Sequence, residues 1–138
     1  MTTPHREVVL LVEDNAINAE LARTLLERAD MEVRDAGTAA AALRLAQELR
    51  PDLILMDIDL PDDDGLSVVR ALRAQAAFAK TPIVALTAYA MAGDEEKALR
   101  AGCNGYIAKP IDTRSFASRV GEIVTASRDP AASRGDDC

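Results

Sequence analysis

The sequence predicts an α/β fold built on a parallel sheet that is covered on both faces. Three observations carry this. Short continuous apolar runs recur at Val8 to Val12, Leu53 to Met56 and Pro82 to Leu86, and runs without apolar–polar alternation fit strands buried on both sides. Between the runs lie stretches with apolar residues at helical spacing, and strands alternating with helices imply right-handed crossovers within one parallel sheet. Composition agrees: 49% of the residues are hydrophobic, yet there are only two Phe, two Tyr and no Trp. Small aliphatic side chains must therefore build the interior, as they do where helices pack closely on a Val/Ile/Leu sheet.

Taken in order, Val8 to Val12 is the first buried strand, and it ends at Glu13-Asp14-Asn15. Asn15 is a good cap for the next helix, whose Ile17, Leu21, Leu25 and Leu26 are expected to face inward. That leaves Glu13 and Asp14 free to face a cation. Met31 to Ala36 alternates, so it is expected at a sheet edge. Gly37 turns the chain, and Thr38 caps an Ala-rich helix, Ala39 to Leu49, that Pro51 follows. The central strand, Leu53-Ile54-Leu55-Met56-Asp57, lies between Pro51 and Pro61.

Pro61-Asp62-Asp63-Asp64-Gly65 is a turn-rich loop whose acids read as solvated charge in preference to a second metal cluster. A helix then carries Leu66, Val69 and Leu72 inward. The fourth strand ends at Thr87-Ala88. A weaker helix over 90–101 is interrupted by Gly93 and stopped by Gly102. The fifth strand, Cys103 to Ala108, ends at Lys109-Pro110. Asp112 or Thr113 caps a last helix with Phe116, Val120, Ile123 and Val124 inward. Five strands and five helices fit a doubly wound, flavodoxin-like sheet of order 2-1-3-4-5, which centres the most continuously apolar strands and leaves the alternating one at an edge. Residues 1–6 read as an N-terminal tail, 7–126 as one domain, and 127–138 as a polar, disordered C-terminal tail.

The formal net charge is −7, and no basic stripe is present, so nucleic acid is not expected as a partner. Cys103 and Cys138 have no metal or disulfide spacing and point to a reducing compartment. No apolar run approaches membrane-spanning length and no signal peptide is evident. The expected location is cytoplasmic.

Open α/β sheets bind ligands at the carboxyl ends of their strands. Here those ends deliver Glu13 and Asp14, then Asp57, then Thr87, then Lys109. One Asp at a strand end is usually a turn residue, one Lys is as often an ion-pair partner, and one Thr is usually a strand-end hydroxyl. It is the constellation that points to chemistry. Three carboxylates brought together repel one another, and an all-oxygen donor set without His or Cys suits Mg2+, with Mn2+ as the alternative. Lys109 supplies a point charge and Thr87 a hydroxyl donor for phosphoryl oxygens. Together they describe transfer of a phosphoryl group to Asp57. No glycine-rich phosphate loop is present, which argues against bound ATP or FMN. The only histidine, His5, lies in the tail, so a phosphohistidine donor must be another protein.

With these residues in hand, the chain resembles the response-regulator receiver domains of the CheY-like superfamily, over roughly residues 7 to 125. The resemblance rests on Glu13-Asp14 after the first strand, Asp57 within Leu55-Met56-Asp57-Ile58-Asp59-Leu60-Pro61, Asp64-Gly65, Thr87-Ala88, and Tyr106 three residues before Lys109-Pro110. It implies that Asp57 is the phosphoacceptor. It also implies that Asp14 binds metal directly, Glu13 through water and Asp59 through its backbone carbonyl, that Thr87 and Tyr106 form a switch pair, and that Lys109-Pro110 is a cis peptide. Asp59 and Tyr89 are then expected to tune the lifetime of the acyl phosphate.

Val12-Glu13-Asp14-Asn15 with Asn18, and Thr87-Ala88-Tyr89-Ala90-Met91 with Gly93-Asp94-Glu95-Glu96, are similar to DivK-type single-domain receivers and to receivers of hybrid kinases. The implied partners are a histidine kinase or histidine phosphotransfer protein and a downstream protein target on the face of the fourth helix, fifth strand and fifth helix. A homodimer through that face is left open. Asp63 departs from the family, which commonly has an apolar residue there. Such a domain is not an enzyme beyond its own phosphorylation and dephosphorylation. Two rival readings differ in kind. Asp57-Ile58-Asp59 could serve a haloacid-dehalogenase-type phosphatase, in which the second Asp is a general acid–base; or the fold could be a phosphorylation-independent interaction module.

Overall fold

A computed structural model describes residues 7–62, 64–87, 93–109 and 111–128. Strands β1 (Val8–Val12), β2 (Glu32–Ala36), β3 (Leu53–Asp57), β4 (Ile83–Thr87) and β5 (Gly105–Ala108) form one sheet in the order β2-β1-β3-β4-β5. All four pairings are parallel, with Val9 opposite Leu53, Ile54 opposite Ile83 and Val84 opposite Gly105. Helices α1 (Ala16–Arg28), α2 (Ala39–Leu49), α3 (Gly65–Arg73) and α4 (Asp94–Ala101) make the four crossovers, α5 (Phe116–Arg128) follows the last strand, and a 3-10 turn at Ala76–Phe78 precedes β4. The predicted doubly wound, flavodoxin-like sheet is the observed one. No described helix is long and apolar enough to cross a membrane.

Strand alternation splits the interior into two layers. Leu10, Ile54, Met56 and Ala85 face the core shared with α2, α3 and α4. Val9, Leu11, Leu55 and Leu86 face a second core with residues of α1 and α5. β3 and β4 are buried at every position, which is why their sequences show no alternation. β2 exposes Arg34 and Asp35, as an edge strand should. Ala22, Ala42, Ala46 and Ala98 are essentially inaccessible, so close approach of helix to sheet depends on small side chains, and bulkier residues there would force the layers apart.

The caps fall largely where the sequence put them. The Asn15 side chain accepts from the backbone N–H groups of Ile17 and Asn18, and Thr38 Oγ1 accepts from Ala41 N–H. Gly102 follows α4 with φ +120, and its backbone N–H reaches back to the last turn. Asp112 Oδ1 accepts from Arg114 N–H, ahead of α5.

Four expectations need correction. Ile17 and Leu21 do not face inward: Ile17 is 80% exposed and Leu21 37%. α1 instead buries Ala19, Ala22 and Leu26, because the sheet allows only small residues near the start of this helix. Gly93 stands at the N-cap of α4, which begins at Asp94, with φ +90, a conformation costly for other residues; the start expected at residue 90 lies outside the described residues. The fifth strand starts at Gly105, two residues later than expected. α5 runs to Arg128, into the stretch expected to be a tail; the remainder of that tail, residues 129–138, lies outside the described residues, as do residues 1–6.

Candidate functional site

Period-two alternation assembles the site. Glu13, Asp57 and Lys109 each stand two residues beyond Leu11, Leu55 and Ile107, which face the α1/α5 layer. All three therefore fall on that side of the sheet at its carboxyl end. Thr87 stands two beyond Ala85, which faces the other layer. Parallel pairing brings the strand ends level: the Glu13 N–H donates to Ala36 O at 2.9 Å and the Lys109 N–H to Thr87 O at 2.7 Å.

Lys109 Nζ lies 2.9 Å from Glu13 Oε1 and 3.0 Å from Asp57 Oδ2. Asp57 is 1% exposed, Glu13 6% and Thr87 1%, so these polar groups lie at the floor of the site. Asp57 Oδ1 accepts from the backbone N–H of Asp59 at 2.9 Å, and Glu13 Oε2 accepts from Asn15 N–H at 3.2 Å. Glu13 is thus not free, as the sequence suggested, but already engaged with Lys109 and the turn into α1. Burial pushes the Glu13 carboxyl above its usual pKa, and the neighbouring Asp57 adds to this, outweighing Lys109. Burial works against the Lys109 ammonium, yet hydrogen bonds and charge from Glu13 and Asp57 outweigh it and hold its pKa above the usual value.

The loop after β3 closes over Asp57. Gly65 N–H donates to Ile58 O at 3.1 Å, and Asp59 bridges Asp64 in antiparallel fashion. A Cβ on Gly65 would lie 2.3 Å from the Asp57 carbonyl oxygen, so only glycine permits this closure. Asp59 itself is exposed, and burial followed by the charge of Asp57 raises its pKa. The loop acids are not merely solvated. Asp64 caps α3 through Leu66 N–H at 3.0 Å, and Asp62 receives the N–H groups of Ala39 and Ala40 at the start of α2. The Asp62 contact joins residues more than twenty positions apart, so no local pattern reveals it.

One carboxylate oxygen from each of Glu13, Asp14 and Asp57 lies within 4.8 Å of the other two. Such close anionic oxygens fit a hard divalent cation, and exposed Asp14 opens the group to solvent. Of the residues expected to converge, Glu13, Asp14, Asp57 and Lys109 come together, and Thr87 is buried at the end of β4 beside them in the sheet. Tyr106 packs against the α2/α3/α4 core, opposite Ala85 in register and on the same face as Thr87. Its hydroxyl is buried and has no hydrogen-bond partner among the described residues; burial, then Asp94 and Glu95, raise its pKa. Asp63, Tyr89 and Pro110, with the proposed cis peptide, lie outside the described residues.

Known proteins share both sequence and architecture. The model of the response regulator receiver domain matches residues 9–121. The polar-differentiation response regulator DivK of Brucella anthropi is 44% identical over 112 residues, spanning 81% of this chain and 91% of that protein. The receiver domain of a sensor histidine kinase from Pseudomonas aeruginosa, solved with magnesium coordinated in its active site cleft, superposes with a TM-score of 0.80 at 37% identity, covering 88% of this chain and 99% of that one. The Vibrio cholerae chemotaxis response regulator CheY4 superposes with a TM-score of 0.81 at 27% identity, covering 86% and 99%. Their match spans the whole sheet and the strand ends that carry Glu13, Asp14, Asp57 and Lys109, so the chain belongs to the response regulator receiver family, a signalling domain of two-component systems.

Proposed function

We propose that this receiver accepts a phosphoryl group from a phosphohistidine onto Asp57. The observation that carries the reading is the Asp57 carboxylate, buried to 1% exposure yet sharing the Lys109 ammonium with Glu13. A buried carboxylate held this way has a defined direction and a cation that can leave it. The Asp59 N–H fixes Oδ1. In the transfer, an Asp57 oxygen forms a bond to phosphorus while the donor P–N bond breaks. The imidazole leaves with the electron pair and is already protonated on its other nitrogen or takes a proton from water. Lys109 then moves from the carboxylate to a phosphoryl oxygen, and the Thr87 hydroxyl donates to another.

Glu13, Asp14 and Asp57, with the backbone carbonyl of Asp59, would hold Mg2+ or Mn2+, which when bound supplies charge neutralisation for the phosphoryl oxygens. A cation held there would also offset the burial and the Asp57 charge that raise the Glu13 pKa. Thr87 and Tyr106 form the switch. Drawing Thr87 toward the phosphoryl group alters the packing around Tyr106, whose hydroxyl has no anchoring hydrogen bond among the described residues. Asp59 and Tyr89 tune the lifetime of the product.

The donor is a histidine kinase or a histidine phosphotransfer protein. Ile17 and Leu21, exposed on α1 soon after Asp14, give such a protein an apolar rim to rest on. The switched face of α4, β5 and α5, where Leu99 is 48% exposed, engages the downstream target. Residues 7–128, to the end of α5, act as one domain in the cytoplasm and turn over no other substrate. Incubation with magnesium and a phosphohistidine donor or acetyl phosphate should place one base-labile phosphate on Asp57, detected by mass spectrometry, and none on a folded Asp57→Asn protein. Equal labelling of Asp57→Asn would overturn the proposal.

A further inference from the structure

We infer that Asp62 is a positioning residue for the metal and phosphoryl site, acting through the first turn of α2. This rests on the reading of Asp57 as phosphoacceptor. The β3–α3 loop carries two groups that matter at the site: the Asp59 N–H that orients Asp57 Oδ1 and the Asp59 carbonyl assigned to the metal. Yet the loop is exposed at Pro61, Asp62 and Asp64. At its base it is closed by the Gly65–Ile58 hydrogen bond and the Asp59–Asp64 bridge. At its tip, Asp62 Oδ1 receives the Ala39 N–H at 2.8 Å and Oδ2 the Ala40 N–H at 3.2 Å.

These two donors are among the N–H groups that a helix leaves without internal partners. Thr38 satisfies the next one, from Ala41. The caps thus divide the work: Thr38 holds the helix, while Asp62 uses the helix to hold the loop. The hydrogen bond from Ala39, and with it that from Ala40, holds the Asp62 carboxyl below its usual range even though the residue is exposed, since both favour the charged acceptor. Tying the loop tip to a helix packed on the sheet restricts where Asp59 can sit, and restriction of groups behind the ligands is what second-shell contacts contribute to metal affinity.

Two changes break the tether from opposite ends. Asp62→Ala removes the acceptor. Ala39→Pro removes the shorter-bonded donor and leaves the Asp62 charge in place; proline suits the first helical position, and Thr38, at φ −139 and ψ 163, already has the extended backbone that a following proline demands. Magnesium affinity is read by calorimetric titration and stability by denaturant unfolding. Each variant should bind magnesium about tenfold more weakly than the parent, and the double variant should lose little more than either alone, because both break one contact. Asp62→Asn, which keeps one acceptor, should fall between and serves if Asp62→Ala fails to fold.

Unchanged affinity in the variants, even with lowered stability, overturns the inference. So does weakening by Asp62→Ala without weakening by Ala39→Pro, which would make the effect one of charge alone. A parent that binds magnesium but takes no phosphate defeats the phosphoacceptor reading while the titration still judges the tether; a parent that binds no magnesium defeats both.

Discussion

The two ends of the sheet each hold a partly buried cation, and they hold it differently. At the carboxyl end Lys109 lies between the carboxylates of Glu13 and Asp57. At the amino end Arg73 is held by neutral acceptors: Nε donates to Gly102 O at 2.9 Å, Nη1 to Phe78 O at 2.6 Å and Nη2 to Asn104 Oδ1 at 2.7 Å. Asn104 Oδ1 also receives the Ile83 N–H, so one guanidinium ties α3, the 3-10 turn, the α4–β5 connection and the start of β4. A planar cation whose three nitrogens each meet a fixed dipole has no reason to move. A point charge between two carboxylates can be exchanged for another cation, because what replaces it meets the same two anions. The difference separates a lock from a site.

That contrast can be broken first at the lock. Arg73→Ala should cost about 3 kcal/mol, since it removes three hydrogen bonds from a charged group that join four segments, and should leave magnesium affinity unchanged; denaturant unfolding and calorimetry measure the two. A loss of magnesium binding out of proportion to stability would merge the two ends into one unit. At the site, Lys109→Met leaves two buried carboxylates without their cation and should cost about 3 kcal/mol as well in the metal-free protein. Magnesium should then raise its melting temperature by more than it raises that of the parent, because the uncompensated carboxylates gain more from the cation. An equal or smaller rise would show that Lys109 does not occupy the metal's electrostatic role.

The smallest effect is expected at Asp59. Its folded pKa is raised, so its charged form opposes folding: parent and Asp59→Asn should be equally stable below the unfolded value of 3.8, and the parent should fall behind as pH rises through the folded value. The residue is largely exposed and screened, so the gap at neutral pH should be about 0.3 kcal/mol. Denaturation midpoints across the acid range measure it, and a parent that gains on the variant with rising pH would reverse the assigned sign.

Much of this was legible in the residues. β3 and β4 were recognisable because burial on both faces removes alternation, and the edge position of β2 because exposure restores it. Glu13, Asp57 and Lys109 could be placed together once the strand order was known, since a period of two sends all three to one side. α1 misled because Ile17 and Leu21 have helical spacing but lie on the outer face, while alanines face the sheet. Periodicity reports that a helix has a face; it does not report which face the fold covers when the inner one is made of small residues. The Arg73 lock was invisible for another reason: its partners are backbone carbonyls and an amide from distant segments.

The sequence alone determined the fold class, the strand order and the set of charged residues at the strand ends, because these follow from hydrophobic patterning and local caps, whose ranges are a few residues. Only the tertiary structure decided who holds whom: that Lys109 bridges Glu13 and Asp57, that Asp62 reaches α2, and that Arg73 closes the far end. Those choices depend on distances of a few ångströms between segments far apart in the chain, and no pattern along the chain encodes them.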